Sequence, residues 1–326
     1  MKIVQSKSWV EYKALWKNCM KDYYWYKEDP VFDWNKHEEL EEMETEFSKP
    51  GRFFLEAHSD GFPVGVLGLR YTGKEGALRR WEPASVSRTD GLEVERELLL
   101  NGLDNLSKNG VERVKVIVKY PSDNPDVAKH LTTLYQEVGF NRYQPDSVDL
   151  VIKLDSFKSI PPSQSNIKID PHQGTIPENI GEFCVRAYAS TPEDREIHGF
   201  DTSVSDYDTA VEVFRSILGG GFGPSPSEFW KVALVEGEPA GFIGGFIRES
   251  KHNPLTGIFG PVGVFPEYRR LGLGLYLASE LFKSMRDYGC KYAAVGTPAN
   301  NHNAIKMYQK AGFKLNCHLV HLEKNL

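Results

Sequence analysis

The sequence predicts an α/β fold with a mixed, α+β-type sheet, built twice: two tandem domains, each a central sheet flanked by helices. Three observations carry this. The 326 residues exceed one ordinary core and fit about two domains of ~150 residues. Short runs of alternating apolar residues are separated by segments of helical period, the pattern of strands with helices between them. One plan also recurs. DGFPVGVLGLR (residues 60–70) resembles GEPAGFIGGFIR (237–248), and LYQEVGF (134–140) resembles MYQKAGF (307–313), in the same order and at nearly the same spacing.

In chain order, HEELEEMETEF (37–47) is an acidic helix, either a solvated face or an attractor for a cationic acceptor. The aromatics of DYYWYKEDPVFDW (22–34) belong to a core or to a pocket wall. RFFLEAHS leads into the first hairpin. GLEVERELLLNGLDNLSKNG then reads as a helix and VERVKVIV as a strand. The seam falls in SFKSIPPSQSNIK, whose Pro, Ser and polar residues neither continue a helix nor pack a core. The expected domains are therefore 1–156 and 167–326, with 157–166 as linker. The second copy begins with IKI and the helices IPENIGEFCVRAYAS and SDYDTAVEVFRSIL. GGGFGPSPSE (219–228) follows as a Gly/Pro-rich surface loop, a plain connector or a lid. After the second hairpin come the strand IFGPVGV, a helix, the strand CKYAAVGT and a last helix.

Composition narrows the function. A formal net charge of −6 argues against nucleic-acid binding, which wants a basic surface. The N-terminal stretch has no apolar core of signal-peptide length, and no stretch approaches the ~20 apolar residues of a membrane span. Cys19, Cys184, Cys290 and Cys317 lack CxxC spacing and read as reduced thiols of a cytoplasmic protein. His318 and His321 lie on a strand-like alternation, so no metal is expected there.

The densest chemistry lies in PVGVFPEYRRLGLGLYLASEL (261–281). Val262 and Val264 end a buried strand, and Pro266, without an N–H, stops the ladder. A helix starts near residues 271–274 with an apolar stripe through Leu275, Leu277, Ala278, Leu281, Phe282 and Met285. Glycine there costs up to ~1 kcal/mol against alanine. Bare backbone at a helix N-terminus, with Arg269 and Arg270 beside it, suits an anion such as a pyrophosphate. There is no GK[ST], so this is not a P-loop.

The loop Arg269-Arg270-Leu271-Gly272-Leu273-Gly274, after Val264-Phe265-Pro266, resembles the R/Q-x-x-G-x-G/A loop of the GNAT superfamily of acyl-CoA-dependent N-acyltransferases. Downstream, Asn301, Asn303, Ala304, Tyr308 and the Gly312-Phe313 ending resemble that family's later motif. The resemblance covers residues 167–323 by motif and the first 155 through the repeat.

It implies acetyl-CoA as co-substrate, held between the splayed strands IFGPVGV and CKYAAVGT, and no metal. The implied binding set is Val262, Gly263, Val264, Arg269, Arg270, Leu271, Gly272, Leu273, Gly274, Asn301 and Asn303. A backbone amide near Val264 would stabilise the oxyanion. Tyr308 would protonate the departing thiolate. A phenol of reference pKa ~10 can do this at neutral pH, though a tyrosine there could equally pack on the helix. The family often sets a carboxylate base before the loop. Here Glu249 and Glu228 are the nearest candidates, each readable as a solvated strand end.

The first copy keeps Arg88 and Gly91, but Glu93 stands at the second glycine, and Asp90, Glu95 and Glu97 add negative charge. That copy is expected to bind CoA weakly or not at all, with Tyr135 packing. The expected partner is a small-molecule primary amine, attacked onto the thioester directly. A homodimer is compatible with this; nucleic acid and membrane are not expected. A non-catalytic acyl-CoA sensor or scaffold, or a protein lysine or N-terminal acetyltransferase, is the alternative.

Overall fold

A computed structural model describes residues 1–21, 36–78, 81–87, 91–122, 125–170, 175–249 and 254–326. The chain divides into two compact units, Met1–Asp146 with Cys317–Leu326, and Ser147–Asn316.

The first unit runs β1 (Lys2–Gln5), α1 (Trp9–Met20), α2 (Lys36–Glu46), β2 (Arg52–Ser59), β3 (Phe62–Thr72), β4 (Glu75–Leu78), β5 (Ala84–Ser85), α3 (Gly91–Lys108), β6 (Arg113–Pro121), α4 (Pro125–Glu137) and β7 (Asn141–Arg142). The second runs β8 (Ser147–Lys153), β9 (Ile167–Asp170), α5 (Thr175–Tyr188), α6 (Pro192–His198), α7 (Thr202–Ser205), α8 (Tyr207–Leu218), β10 (Lys231–Val235), β11 (Glu238–Arg248), β12 (Thr256–Val264), α9 (Leu273–Tyr288), β13 (Tyr292–Pro298) and α10 (His302–Lys310). The strand β14 (Lys314–Asn325) closes the chain.

Both units share one mixed plan. A terminal strand pairs antiparallel with a hairpin (β1 with β2–β3, β9 with β10–β11). The next strand pairs antiparallel with that hairpin, then parallel with the strand after the long helix (β4 with β6, β12 with β13). The hairpin turns match in detail. Asp60 and Gly61 have φ 51° and 84°; Glu236 and Gly237 have φ 56° and 92°. Two positive φ values are what a two-residue turn needs to follow strand twist. The small residues of each second strand let side chains approach. A Cβ on Gly68 would meet Trp81, one on Gly244 would meet Trp230, and one on Gly245 would meet Met285 of α9.

The units do not divide at residue 156. β8 pairs antiparallel with β13 over its whole length, from Ser147↔Pro298 to Lys153↔Tyr292. Residues 317–325 of β14 pair with β6, from Cys317↔Pro121 to Asn325↔Arg113. Each unit thus takes a strand from the other half of the sequence, which composition around a seam does not encode. Nor does 157–166 behave as a free linker. Phe157 is buried edge-on against Phe282, with centroids 5.1 Å apart, and the Ile160 N–H donates to Ser279 Oγ at 2.9 Å. The aromatic and aliphatic residues hidden among the prolines and serines anchor it on α9.

The acidic helix 37–47 is α2. Leu40 and Met43 are buried, and Glu46 pairs with Lys49 and Arg52. The aromatic stretch 22–34 lies outside the described residues. All four cysteines are buried, and none of them is in a disulfide. Among the described residues no helix is long and apolar enough to cross a membrane, and no His/Cys/Asp/Glu group could hold a metal. His318 instead stacks on Tyr120, and His321 meets Tyr143 edge-on.

Candidate active site

The second unit has an opening where two parallel strands part. β12 and β13 pair for only three residues, Thr256↔Tyr292, Gly257↔Ala293 and Ile258↔Ala294, although both continue. Opposite β11 the register slips between Ile243 and Gly245, so Gly260 and Pro261 face the single residue Gly244. Such a bulge bends its strand, and proline has no N–H to continue a ladder. Past the bulge the strands border a cavity of about 840 Å³, lined by Phe259–Val264 and Val295–Pro298. Its other walls come from α5–α8, the turn before α9, and α10.

The free edge of β12 has a definite polarity. Gly263 pairs with Phe242, and the Phe265 N–H donates to Ala240 O at 3.0 Å. Val262 and Val264 therefore turn their backbone groups away from β11, because antiparallel neighbours alternate. Their carbonyls are already taken: Tyr188 Oη donates to Val262 O at 2.7 Å, and Arg269 Nε donates to Val264 O at 3.2 Å. The N–H groups of Val262 and Val264 remain on the open edge.

A short 3-10 turn, Pro266–Tyr268, carries the chain from β12 to α9. Gly272 is the N-cap residue, left-handed at φ 76°, and offers no side-chain cap. Tyr276 N is the first to bond back, to Gly272 O at 3.1 Å. The N–H groups of Leu273, Gly274 and Leu275 have no acceptor among the described residues, and all three line the cavity. Uncapped N–H groups with the helix dipole behind them suit an anion. The two glycines differ in purpose. Gly272 supplies the left-handed turn, with only Ser163 near an added Cβ, at 3.7 Å. Gly274 lets α10 approach: a Cβ there would lie 2.7 Å from Met307 Sδ.

Arg269 and Arg270 were expected to add charge for the anion, and only one is free to do so. The Arg269 guanidinium donates to Ala187 O at 3.0 Å and lies 2.9 Å from a carboxylate oxygen of Asp194, a buried side chain. With its bond to Val264 O, it clamps α5, α6 and the end of β12 together. Arg270 is exposed, lines the cavity and makes no ion pair among the described residues. Leu271 is half-buried against the core, and its carbonyl accepts from the Ser163 hydroxyl.

Tyr308 is buried on α10, edge-on to Phe259 at 5.5 Å, and lines the cavity. Burial pushes its phenol well above the usual tyrosine value, so it stays protonated. Tyr188 is raised likewise, first by burial. Asn301 caps α10, its Oδ1 accepting from Ala304 N at 3.2 Å, while its Nδ2 donates to Thr297 Oγ1 at 3.2 Å. Asn303 is exposed and donates to Glu193 at 3.4 Å.

Sequence reasoning missed α6 and α7. The signal was present in Thr191-Pro192-Glu193-Asp194. Thr191 and Asp194 form a reciprocal capping box with Pro192 at the first helical position. These helices bring Asp194, His198 and Asp201 to the cavity wall. Glu228 and Glu249 are both exposed and do not line it. Residues 219–228 do not line it either. Ile247 N donates to Pro224 O at 2.7 Å and Ser225 Oγ to Gly245 O at 2.7 Å, so this loop is fastened to β11 rather than hung as a lid.

In the first unit the matching helix start differs from the expected ring of carboxylates. Glu95 is fully buried, bound by His130 and 3.5 Å from Ser85 Oγ, while Glu93 and Glu97 are exposed. Tyr135 is buried edge-on to Phe140 at 5.2 Å. Arg88 and Asp90 lie outside the described residues.

Residues 194–313 match the model of the Acetyltransferase (GNAT) family. No curated protein matches the chain. Among solved structures, a GCN5-related N-acetyltransferase from Sphaerobacter thermophilus is 16% identical, with a TM-score of 0.63 over 99% of this chain and 95% of that one. A tandem GNAT protein from the clavulanic acid biosynthesis pathway is 15% identical, with a TM-score of 0.52 over 99% and 98%. A GNAT-family acetyltransferase from Colwellia psychrerythraea is 13% identical, with a TM-score of 0.52 over 99% and 99%. At these identities the likeness is one of fold, and it extends over nearly the whole chain.

Proposed function

We propose, from the match of residues 194–313 to the GNAT acetyltransferase family, that this protein moves an acetyl group from acetyl-CoA to the primary amine of a small molecule. The second unit does the chemistry. The observation that carries the reading is the parted pair β12 and β13, whose open edge leads to an uncapped helix N-terminus.

Acetyl-CoA as substrate fits these residues. Its pyrophosphate takes the N–H groups of Leu273–Leu275, with Arg270 adding charge from the rim. Its pantetheine amides bond to the free edge of β12. The N–H of Val264 or Val262 stabilises the oxyanion that forms when the amine attacks the thioester carbon. The tetrahedral intermediate collapses with cleavage of the C–S bond. Tyr308, kept protonated by burial, gives its proton to the thiolate and regains one from the attacking nitrogen. No cysteine lines the cavity, so no acyl-cysteine intermediate is invoked.

The first unit binds no CoA in this reading. Glu93 stands at the second glycine of the loop and places a carboxylate in the first turn of α3. Calorimetric titration of the intact protein with acetyl-CoA tests both statements. One site per chain is expected, followed by thiol release when primary amines are screened. Two sites would overturn the division between units, and no binding would overturn the function.

A further inference from the structure

The mechanism above lacks a group to deprotonate the incoming ammonium, and the carboxylates near the loop in sequence lie away from the cavity. His198 lies on its wall, at the end of α6. Three contacts fix it. α6 is held by its capping box and by the Arg269–Asp194 pair. The imidazole sits edge-on to Tyr188, with centroids 4.9 Å apart, and Tyr188 in turn reaches the Val262 carbonyl on the open edge. Asn301 Nδ2 lies 3.5 Å from His198 Nε2.

The Asn301 contact favours one tautomer. Capping of α10 requires Oδ1 as the acceptor from Ala304 N, so the other end of the amide is the NH₂ donor. A donor at that end calls for a lone pair on His198 Nε2, which puts the proton on Nδ1. At 3.5 Å that contact is long, and a substrate N–H can displace it.

We propose that His198 is the general base of the acyl transfer, its Nε2 taking the proton of the acceptor ammonium. The inference rests on the acetyltransferase reading. The proton ledger closes. Of the three ammonium hydrogens, one leaves to Nε2 and then to water, one reaches the CoA sulfur by way of Tyr308, and one stays on the amide. Charged and polar groups face the imidazole from every side. Asp194 and Asp201 favour its charged form, Arg269 opposes it, Tyr188 and Asn301 are neutral, and burial outweighs the rest to lower its pKa. The base is therefore free at neutral pH.

The test uses the full chain and acetyl-CoA alone, with water as nucleophile, so that no acceptor need be known. Thiol release is followed from pH 5 to 8, with calorimetric binding of acetyl-CoA as the second readout. In the wild type the rate should rise along a limb with apparent pKa below 6.5. His198→Gln should bind acetyl-CoA as before, lose that limb and slow about 10²-fold. Imidazole buffer should partly rescue His198→Ala. Unchanged rate and pH profile in both variants would overturn the base while leaving the function standing. A wild-type protein that binds acetyl-CoA but shows no limb below pH 6.5, or no thiol release at any pH, would overturn it too. Loss of acetyl-CoA binding by the wild type would instead strike the acetyltransferase reading itself.

Discussion

Arg269→Ala separates two meanings of one arginine. If the guanidinium chiefly serves the ligand, its removal weakens binding and leaves stability alone. In the structure it holds Asp194, Ala187 O and Val264 O. Its removal leaves the Asp194 carboxylate, 8% exposed, without its cation. Breaking a buried ion pair on one side costs ~3–5 kcal/mol, and Arg269's 31% exposure puts this case at the low end, about 3 kcal/mol. For a unit of this size the transition should fall by roughly 6–12 °C. Thermal unfolding followed by circular dichroism measures it. Asp194→Asn in the Arg269→Ala background should recover part of the loss, because a neutral amide is cheaper to leave unpaired. An unchanged Tm with acetyl-CoA binding abolished would refute the clamp and return the side chain to the ligand.

Tyr308→Phe should bind acetyl-CoA normally and lose most of its turnover, seen as an unchanged Kd with a fallen kcat; a wild-type kcat would remove the acid role. The raised phenols of Tyr308 and Tyr188 make alkaline stability a second check. The unfolded chain ionises them near pH ~10 while the folded one does not, so their share of stability is intact below that pH and falls above it. Tyr308→Phe should therefore flatten the loss in urea melts above pH 10. Gly272→Ala forces a left-handed alanine at φ 76° and should cost about 1–2 kcal/mol by denaturant titration. Gly274→Ala should be eased by Met307→Ala, whose sulfur is what the new methyl meets. A chain divided at residue 156 should give two poorly folded pieces by proton NMR, because each unit then lacks a strand.

The strand plan common to the two units was legible because its turn residues and small-residue strands recur in the sequence itself. The uncapped helix start was legible for the same reason: Gly272 leaves a visible mark. Which glycine supplies the left-handed turn and which faces Met307 was not, since both read as bare backbone. His198 was invisible because α6 and α7 are short, without the apolar period that reveals a longer helix. The ion pair of Arg269 was not legible because its partner, Asp194, lies far off in sequence and meets it only through the fold. Glu95 was counted among the charges of the helix start, although a contact with the half-buried His130 holds it inward. The exchange of β8 and β14 had no local signal at all, since either strand alternates well enough to suit either sheet.

That exchange sets the order in which the molecule can be completed. On the ribosome, residues 1–146 emerge first, yet β6 has no outer neighbour until residues 317–325 have been made. Everything needed for the second unit, by contrast, is continuous in sequence from 147 to 316. The half synthesised first is therefore the half finished last, and through most of synthesis it exposes an unpaired strand edge. Such an edge invites pairing with other chains. A chaperone that masks strand edges should raise the yield of this protein most when translation is slow.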